Sequence, residues 1–390
     1  MSPPSAGMKI SLVMGFFLPM PPAAGGATEK TWHRLALEFA ARGHEVTVFS
    51  RRWPDFPDEE TISGVHHVRL PGHAHTPRLG RNLLCDFFWS WRVFRTLPPA
   101  DIAIVNCLAL PAWLGTLRPA AGRVVLHAGR MPKGQFRLYR RIARILAPST
   151  AVREKIAAEN PRLAAVTRVV GYPIAWSELE KAPAGRAAGA PLTLGYVGRL
   201  HREKGLDLLV AALRLLAADK TLPAWRIVLC GPADVAHGGS GPAYAGGLAG
   251  RLAEILPADR RAVLPPAFDE AVLKKFYQDI DIFCYPSLAV RGETFGVAVA
   301  EAMAAGAAPV VSRLACFTDF VTDGGSGLVF DHTAADAPAR LAAALAKLLS
   351  DPALRTRLAA AARTATAPFD FPRFAGGLLA DFAALAAGGA

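Results

Sequence analysis

The feature that most narrows the fold is an alternation that runs along the chain twice. In the first half, short apolar runs at "MKISLVM", "EVTVFS", "DIAIVN", "RVVLHA", "RILAPS" and "TRVVGY" alternate with segments of helical spacing at Thr28–Arg42, closed by Gly43, and at Pro132–Arg141 and Thr150–Glu159. Strands that alternate with helices imply a parallel sheet covered on both faces. Residues 176–190, "WSELEKAPAGRAAGA", lose the periodicity and gain Pro, Gly and charge, as a linker does. The alternation restarts at "PLTLGYVGRL". It continues through a helix from about Glu203 to Ala218, "RIVLCG", "AVLPPAF", a helix from Glu270, "DIFCYPS", a helix after Gly296, "APVVS" and "SGLVF". The expected organisation is α/β throughout. Two Rossmann-like domains, 1–178 and 191–370, are joined by a linker at 179–190, with a cleft where their strand ends face each other. A last helix over 371–390 completes the first domain.

Length agrees with this division, since 390 residues exceed what a single ordinary core serves. A hydrophobic content of 52% with 19% charged residues excludes a disordered chain. Cys85, Cys107, Cys230, Cys284 and Cys316 stand singly inside apolar runs, without metal-ligand spacing, and read as core residues of a reduced, cytosolic protein. The opening "MKISLVMGFFLPMPPAAGG" has the outline of a signal peptide. A buried first strand is the preferred reading, because an amphipathic helix and a second strand follow at once.

The net charge of +12 is unevenly placed. Residues 1–190 hold 25 Lys and Arg against 13 Asp and Glu, whereas residues 191–390 hold 19 of each. A basic half suits nucleic acid, an anionic membrane surface or a phosphorylated substrate, and is equally consistent with an arginine-rich solvated surface.

Several turns carry candidate chemistry. In "GYVGRLHREKGLDLLV", Arg199 and Lys204 flank the turn between a strand and a helix N-terminus, where free backbone N–H groups favour an anion. Two cations there suit a diphosphate; an ordinary solvated loop is the alternative. "PMPPAAGGATEK" repeats the arrangement in the first half, with Gly25 and Gly26 allowing close backbone approach or a plain turn. The Gly-x-Gly-x-x-Gly fingerprint is missing at both turns, which argues against a nicotinamide dehydrogenase. His127 closes the strand "RVVLHA" at the edge from which ligand-facing residues come, although most single histidines are structural. Asp279 and Asp281 resemble a metal pair, but no further ligands are near in sequence, and Asp281 reads as the turn residue before a buried strand.

Glu293 and Glu301 stand eight positions apart in "GETFGVAVAEAMAAGAAPVVS", a run otherwise made of small apolar residues. Buried carboxylates without partners are costly, so both are expected to meet hydroxyl donors of a ligand, such as those of a sugar. The amides at Phe295 and Gly296, at the helix start, suit a phosphate.

At these residues the chain resembles the retaining glycosyltransferases of family 4, which have the GT-B fold, over nearly its whole length. "GETFGVAVAEAMAAGAAPVVS" is similar to the family's paired-glutamate signature. "VGRLHREKG" resembles its Arg/Lys phosphate loop, and "PPAAGGATEKTWHRLALEFAARGHEVTVFS" its first glycine-rich loop and helix. The resemblance implies a UDP- or GDP-linked sugar donor held mainly by the second domain. Arg199 and Lys204 would bind the diphosphate and stabilise the leaving group, Glu301 would accept ribose hydroxyls and Glu293 a hydroxyl of the transferred sugar. Amides of Phe295, Gly296 and Val297 would contact donor sugar and phosphate, His127 would lie near the donor sugar, and Gly26 by the donor phosphates and acceptor. It further implies an acceptor attack from the leaving-group face, with anomeric configuration kept and with neither metal nor cofactor. Three segments depart from the family pattern: "VVGYPIAW" replaces a Pro-Asn-Gly turn, Thr318-Asp319 replaces Pro-Glu, and the first glycine loop carries one extra residue before Glu29.

The expected activity is therefore α-glycosyl transfer from a nucleotide sugar to a saccharide or lipid-linked acceptor in cell-surface polysaccharide or glycoconjugate synthesis. The setting is cytoplasmic, with "RLYRRIARIL" at Arg137–Leu146 suggesting peripheral contact with an anionic inner membrane. Two rivals are a GT-B-fold sugar epimerase and a basic nucleic-acid-binding protein. The second requires aromatic residues interleaved with cations, and "RNLLCDFFWSWRVFR" alone approaches this, with apolar spacing that fits a packed helix better; nucleic acid is not an expected partner.

Overall fold

The computed structural model describes residues 7–23, 26–180, 189–267 and 269–388, so Gly25 and the 181–188 part of the expected linker lie outside the described residues. Two compact units result, Met1–Pro173 with Phe371–Ala390, and Ile174–Asp370.

The first unit holds strands β1 (Lys9–Val13), β2 (Glu45–Arg51), β3 (Glu59–Ile62), β4 (Val65–Leu70), β5 (Ile102–Val105), β6 (Arg123–His127), β7 (Arg144–Ala147) and β8 (Thr167–Val169). Its helices are α1 (Ala27–Ala41), α2 (Leu79–Thr96), α3 (Leu114–Leu117) and α4 (Thr150–Glu159). The eight strands run in the order β3-β4-β2-β1-β5-β6-β7-β8. All pairs are parallel except β3 with β4, which a two-residue turn at Ser63-Gly64 joins as a hairpin. The apolar run at the start of the chain is the interior strand β1, paired on both sides. Helix α1 buries Trp32, Leu35, Ala36 and Phe39, one face at helical spacing, against the sheet.

The second unit holds β9 (Leu192–Val197), α5 (Leu206–Ala218), β10 (Trp225–Cys230), α6 (Pro242–Ile255), β11 (Arg261–Leu264), α7 (Glu270–Gln278), β12 (Ile282–Tyr285), α8 (Val297–Ala304), β13 (Ala308–Ser312), β14 (Leu328–Phe330), α9 (Ala337–Ser350) and α10 (Pro352–Thr366). Its six strands are all parallel, in the order β11-β10-β9-β12-β13-β14. The order reverses between β9 and β12, which opens a crevice at their C-terminal ends.

The chain then returns to the first unit as α11 (Phe371–Ala387). Phe371, Ala375, Leu378, Leu379 and Phe382 enter the same core as Trp32, Leu35 and Phe39 of α1. Asp381 fixes the register, accepting from Arg144 Nε and Nη2 at 2.8 and 2.9 Å.

Four expectations need correction. Pro132–Arg141 is not an α-helix: only Gln135–Leu138 forms a single 3-10 turn, because Gly134 before it takes φ 102°. The helix expected from Glu203 starts at Leu206, since Gly205 at φ 69° separates it from a 3-10 turn over Arg202–Lys204. Residues 174–178 go with the second unit, ahead of the expected boundary at 178. Ile174 bridges Asp370 there, and the Trp176 indole donates to the Arg363 carbonyl at 2.9 Å. Finally, α2 is the expected packed helix on one face only. Asp86, Trp89, Ser90 and Val93 are buried, while the aromatic and leucine stripe faces outward. In the basic run, Arg137, Arg140 and Arg141 are exposed, whereas Arg144 is buried against Asp381. Cys107, Cys230, Cys284 and Cys316 are buried and Cys85 half-buried, all five as free thiols. Among the described residues no helix is long and apolar enough to cross a membrane.

Candidate active site

In the second unit Arg199, Lys204 and Glu293 sit in the loops at the C-terminal ends of β9 and β12, the first two after β9 and Glu293 after β12. Gly205 lets the two loops touch, since a Cβ there would run into the Pro286 carbonyl oxygen. The Leu288 N–H donates to the Glu203 carbonyl at 2.7 Å and clamps the approach. This contact drives Lys204 into the interior, where its side chain is 6% exposed and Nζ lies 2.7 Å from Glu293 Oε2, itself 10% exposed.

Ser287 Oγ donates to the same Oε2 at 2.9 Å. Below the ammonium lies the Tyr285 ring, its centroid 5.6 Å from Nζ, stacked at 5.6 Å on Tyr196. Burial raises both phenols well above the ordinary tyrosine range, and Glu293 adds to the shift, so both rings stay neutral. A buried ion pair of this kind stabilises the fold little by itself, because desolvation offsets most of the attraction. Its chemical content is the ammonium's further N–H donors and Glu293 Oε1, which takes neither of the two bonds to Oε2.

Arg199 is more open. Nη2 donates to Glu203 Oε1 at 2.6 Å and Nη1 to the Gly238 carbonyl at 3.0 Å. These bonds hold the guanidinium over the loop that follows β10.

Gly296 caps α8 without a side-chain bond, at φ 98°. Phe295 before it has its side chain in the core, 4.7 Å from Phe320 and 5.1 Å from Phe369 between centroids, so its ring does not face a ligand. Val297 is the first residue of α8. A Cβ on Gly296 would sit 2.5 Å from Phe317 Cε1, and Phe317 is locked edge-on against Tyr285. Gly296→Ala is therefore expected to cost about 2–4 kcal/mol, combining a strained φ with overpacking. A urea midpoint within error of the parent would show that this turn relaxes freely.

Glu301 is on α8, and its Oε2 accepts from Tyr277 OH at 2.8 Å. Tyr277 is fully buried at the end of α7, so the bond satisfies a hydroxyl that would otherwise lack a partner. Asp281 is the turn residue before β12: its Oδ2 accepts from the Thr193 N–H at 2.7 Å.

In the first unit, His127 ends β6. Its Nδ1 lies 3.1 Å from Asn106 Oδ1 and 3.3 Å from the Trp32 indole nitrogen. A protonated Nδ1 would donate to Asn106 and a bare one accepts from Trp32; both fix the ring, and neither uses Nε2. Burial lowers the His127 pKa to about 4, so the imidazole is neutral at physiological pH. Gly26, at φ 92°, is the N-cap of α1, and a side chain there would strike the Glu29 carboxylate. Glu29 is buried and its pKa is raised by desolvation, opposed by its own backbone N–H and by Arg130.

Sequence reasoning missed the partners: Ser287, Glu203, Tyr277 and the Tyr196–Tyr285 stack in one unit, Asn106, Trp32 and Glu29 in the other. Only Glu203, four residues after Arg199, carries a readable spacing signal.

Two parallel α/β units, with polar side chains gathered at the C-terminal edge of each sheet, have the construction of the GT-B class of sugar-transferring enzymes. A profile of the glycosyl transferases group 1 matches residues 179–365, and one of glycosyltransferase family 4 matches residues 24–170. A D-inositol 3-phosphate glycosyltransferase of Kineococcus radiotolerans is 31% identical over 380 residues, covering 84% of this chain and 83% of its own. Among solved structures, sucrose-phosphate synthase of Thermosynechococcus elongatus superimposes with a TM-score of 0.77 at 21% identity, over 98% of this chain and 100% of the other. The Anabaena protein HepE in complex with UDP-glucose does so with 0.68 at 17%, over 97% and 100%. The chain belongs to glycosyltransferase family 4.

Proposed function

We propose that this glycosyltransferase takes a sugar from a UDP- or GDP-linked donor and attaches it, with retention and in α-linkage, to a saccharide or lipid-linked acceptor. Its setting would be the synthesis of cell-surface polysaccharide or a related glycoconjugate, in the cytoplasm at the inner face of the membrane. The observation that carries the reading is the buried Lys204–Glu293 pair at the crevice between β9 and β12.

On this reading Lys204 and Arg199 neutralise the diphosphate as negative charge grows on it, which needs no metal ion or cofactor. Glu293 Oε1 accepts a hydroxyl of the transferred sugar while Oε2 keeps the lysine aimed. Glu301, steadied by Tyr277, accepts ribose hydroxyls, and the amides at Phe295, Gly296 and Val297 meet phosphate and sugar oxygens. In the other unit, His127 offers a neutral Nε2 to the donor sugar, and the turn at Gly26 lies by the donor phosphates and the acceptor. The acceptor hydroxyl attacks from the face that the diphosphate leaves. The HepE complex with UDP-glucose supports a nucleotide-sugar donor. The relative's name supports an acceptor that can carry phosphate, in keeping with the basic first half.

A panel of UDP- and GDP-sugars tests the proposal. At least one should raise the thermal midpoint and be slowly hydrolysed. Glu301→Ala should weaken that donor by about 10- to 100-fold, the worth of hydrogen bonds to a charged acceptor. If no nucleotide sugar stabilises the parent protein, the proposal is wrong.

A further inference from the structure

Helix α2 turns to the surface the kind of face that helices normally hide. Leu79, Leu83, Leu84, Phe87, Phe88 and Trp91 are each 47–72% exposed. Their spacing places them together on the side opposite Asp86, Trp89 and Val93, which are buried. The helix is thus anchored by one apolar face and shows a second to solvent. The patch continues beyond α2. Phe87 meets Trp113 edge-on at 5.6 Å between centroids, and the Asp86 carboxylate accepts from the Leu108 and Ala109 N–H groups, tying the exposed Leu108 alongside.

The charges at its border have one sign. Arg78, Arg81 and Arg95 are exposed and Arg92 half-exposed, while Asp86, the helix's one acidic residue, faces inward. Leucines with Phe and Trp on one side, flanked by arginines and without an exposed carboxylate, form the pattern of a helix that lies in a bilayer interface. The tilt toward lipid is chemical: the apolar side chains enter the acyl boundary while the guanidinium groups meet lipid phosphates. A second copy is the poorer occupant, because a two-fold contact sets the same patch against itself and brings the arginines onto like charges with no acid to pair them.

We propose that α2 is the membrane-docking element of this protein and that its occupant is an anionic lipid surface. This places the contact on Leu79–Thr96 rather than on the basic run Arg137–Leu146. The proposal deepens the functional reading above, drawing on it for the inner-face setting alone.

Sedimentation with phosphatidylglycerol–phosphatidylcholine vesicles tests it without any sugar substrate. The parent protein should pellet at low salt and partly resist elution by salt. Phe88→Ser/Trp91→Ser should weaken binding about tenfold or more at every salt concentration. Arg81→Glu/Arg95→Glu should weaken it comparably at low salt and less at high salt. The arginines face solvent and the two aromatics are half exposed, so the variants should stay folded with midpoints a few degrees from the parent at most, and donor hydrolysis in vesicle-free solution should be unchanged. That last readout separates a failure of docking from a failure of the glycosyl-transfer reading. Three results would overturn the proposal. The parent could stay in the supernatant; Arg137→Glu/Arg140→Glu could abolish pelleting while the α2 variants pellet normally; or a concentration-dependent dimer could appear that Phe88→Ser/Trp91→Ser dissolves.

Discussion

Replacing Lys204 with methionine is expected to lower kcat/KM for sugar transfer by about 10²- to 10³-fold, the usual effect of removing one charge stabiliser from a transition state. The same change should also cost stability, for a reason visible in the ion pair. Glu293 is 10% exposed, and without the ammonium its carboxylate keeps only the Ser287 hydroxyl. Breaking one side of a buried pair costs about 3–5 kcal/mol. Adding Glu293→Gln removes the stranded charge and keeps an acceptor for Ser287, so the double variant should regain most of the lost stability while remaining inactive. Urea midpoints and transfer rates of the four proteins separate the two effects. Should folded Lys204→Met transfer sugar within about threefold of the parent, the lysine is only a structural partner of Glu293.

The second large effect concerns acid. His67 on β4 is 0% exposed, and neither ring nitrogen meets a hydrogen-bond partner. Burial, with the positive charge of Arg69 and of the neighbouring His33 and His66, lowers its pKa from 6.5 to about 4. The unfolded chain therefore binds a proton on His67 between pH 6.5 and 4 where the folded chain does not. Stability is complete above pH 6.5 and falls as pH drops toward 4, by about 3 kcal/mol from this residue, after which it levels off. His33 lies 6.2 Å from it between ring centroids, and burial lowers its pKa too, which adds in the same direction. Pulse proteolysis in urea, scored on peptides of the first unit, should show the decline in the parent and a flatter profile in His67→Phe. An unchanged profile in that variant would assign the acid loss to other groups.

How much of this was legible in the sequence follows from the range of the interactions. Strands that form from short apolar runs and helices that bury one face were readable, because both signals are local. Thr150–Glu159 and the strand at the start of the chain are examples. Pro132–Arg141 misled because its apolar spacing outweighed a glycine that takes a left-handed conformation. The aromatic stripe of α2 misled differently: spacing says that a face is apolar, not that anything covers it. At the site, Arg199, Lys204, Glu293 and Glu301 stood out as charges in apolar or glycine-rich surroundings. Their partners did not: Tyr277 and Asn106 are ordinary residues until folding carries them across more than twenty positions, and Ser287, six residues before Glu293, has no spacing that marks it.

The return of α11 to the first unit has a consequence for biosynthesis. Seventeen residues made after the whole of the second unit supply part of the interior against which α1 rests. On the ribosome, the amino-terminal half therefore emerges with that groove open and must wait for the rest of the polypeptide before it can close. A stop codon that spares all of α10 but deletes α11 would leave the opposite end of the protein unfinished.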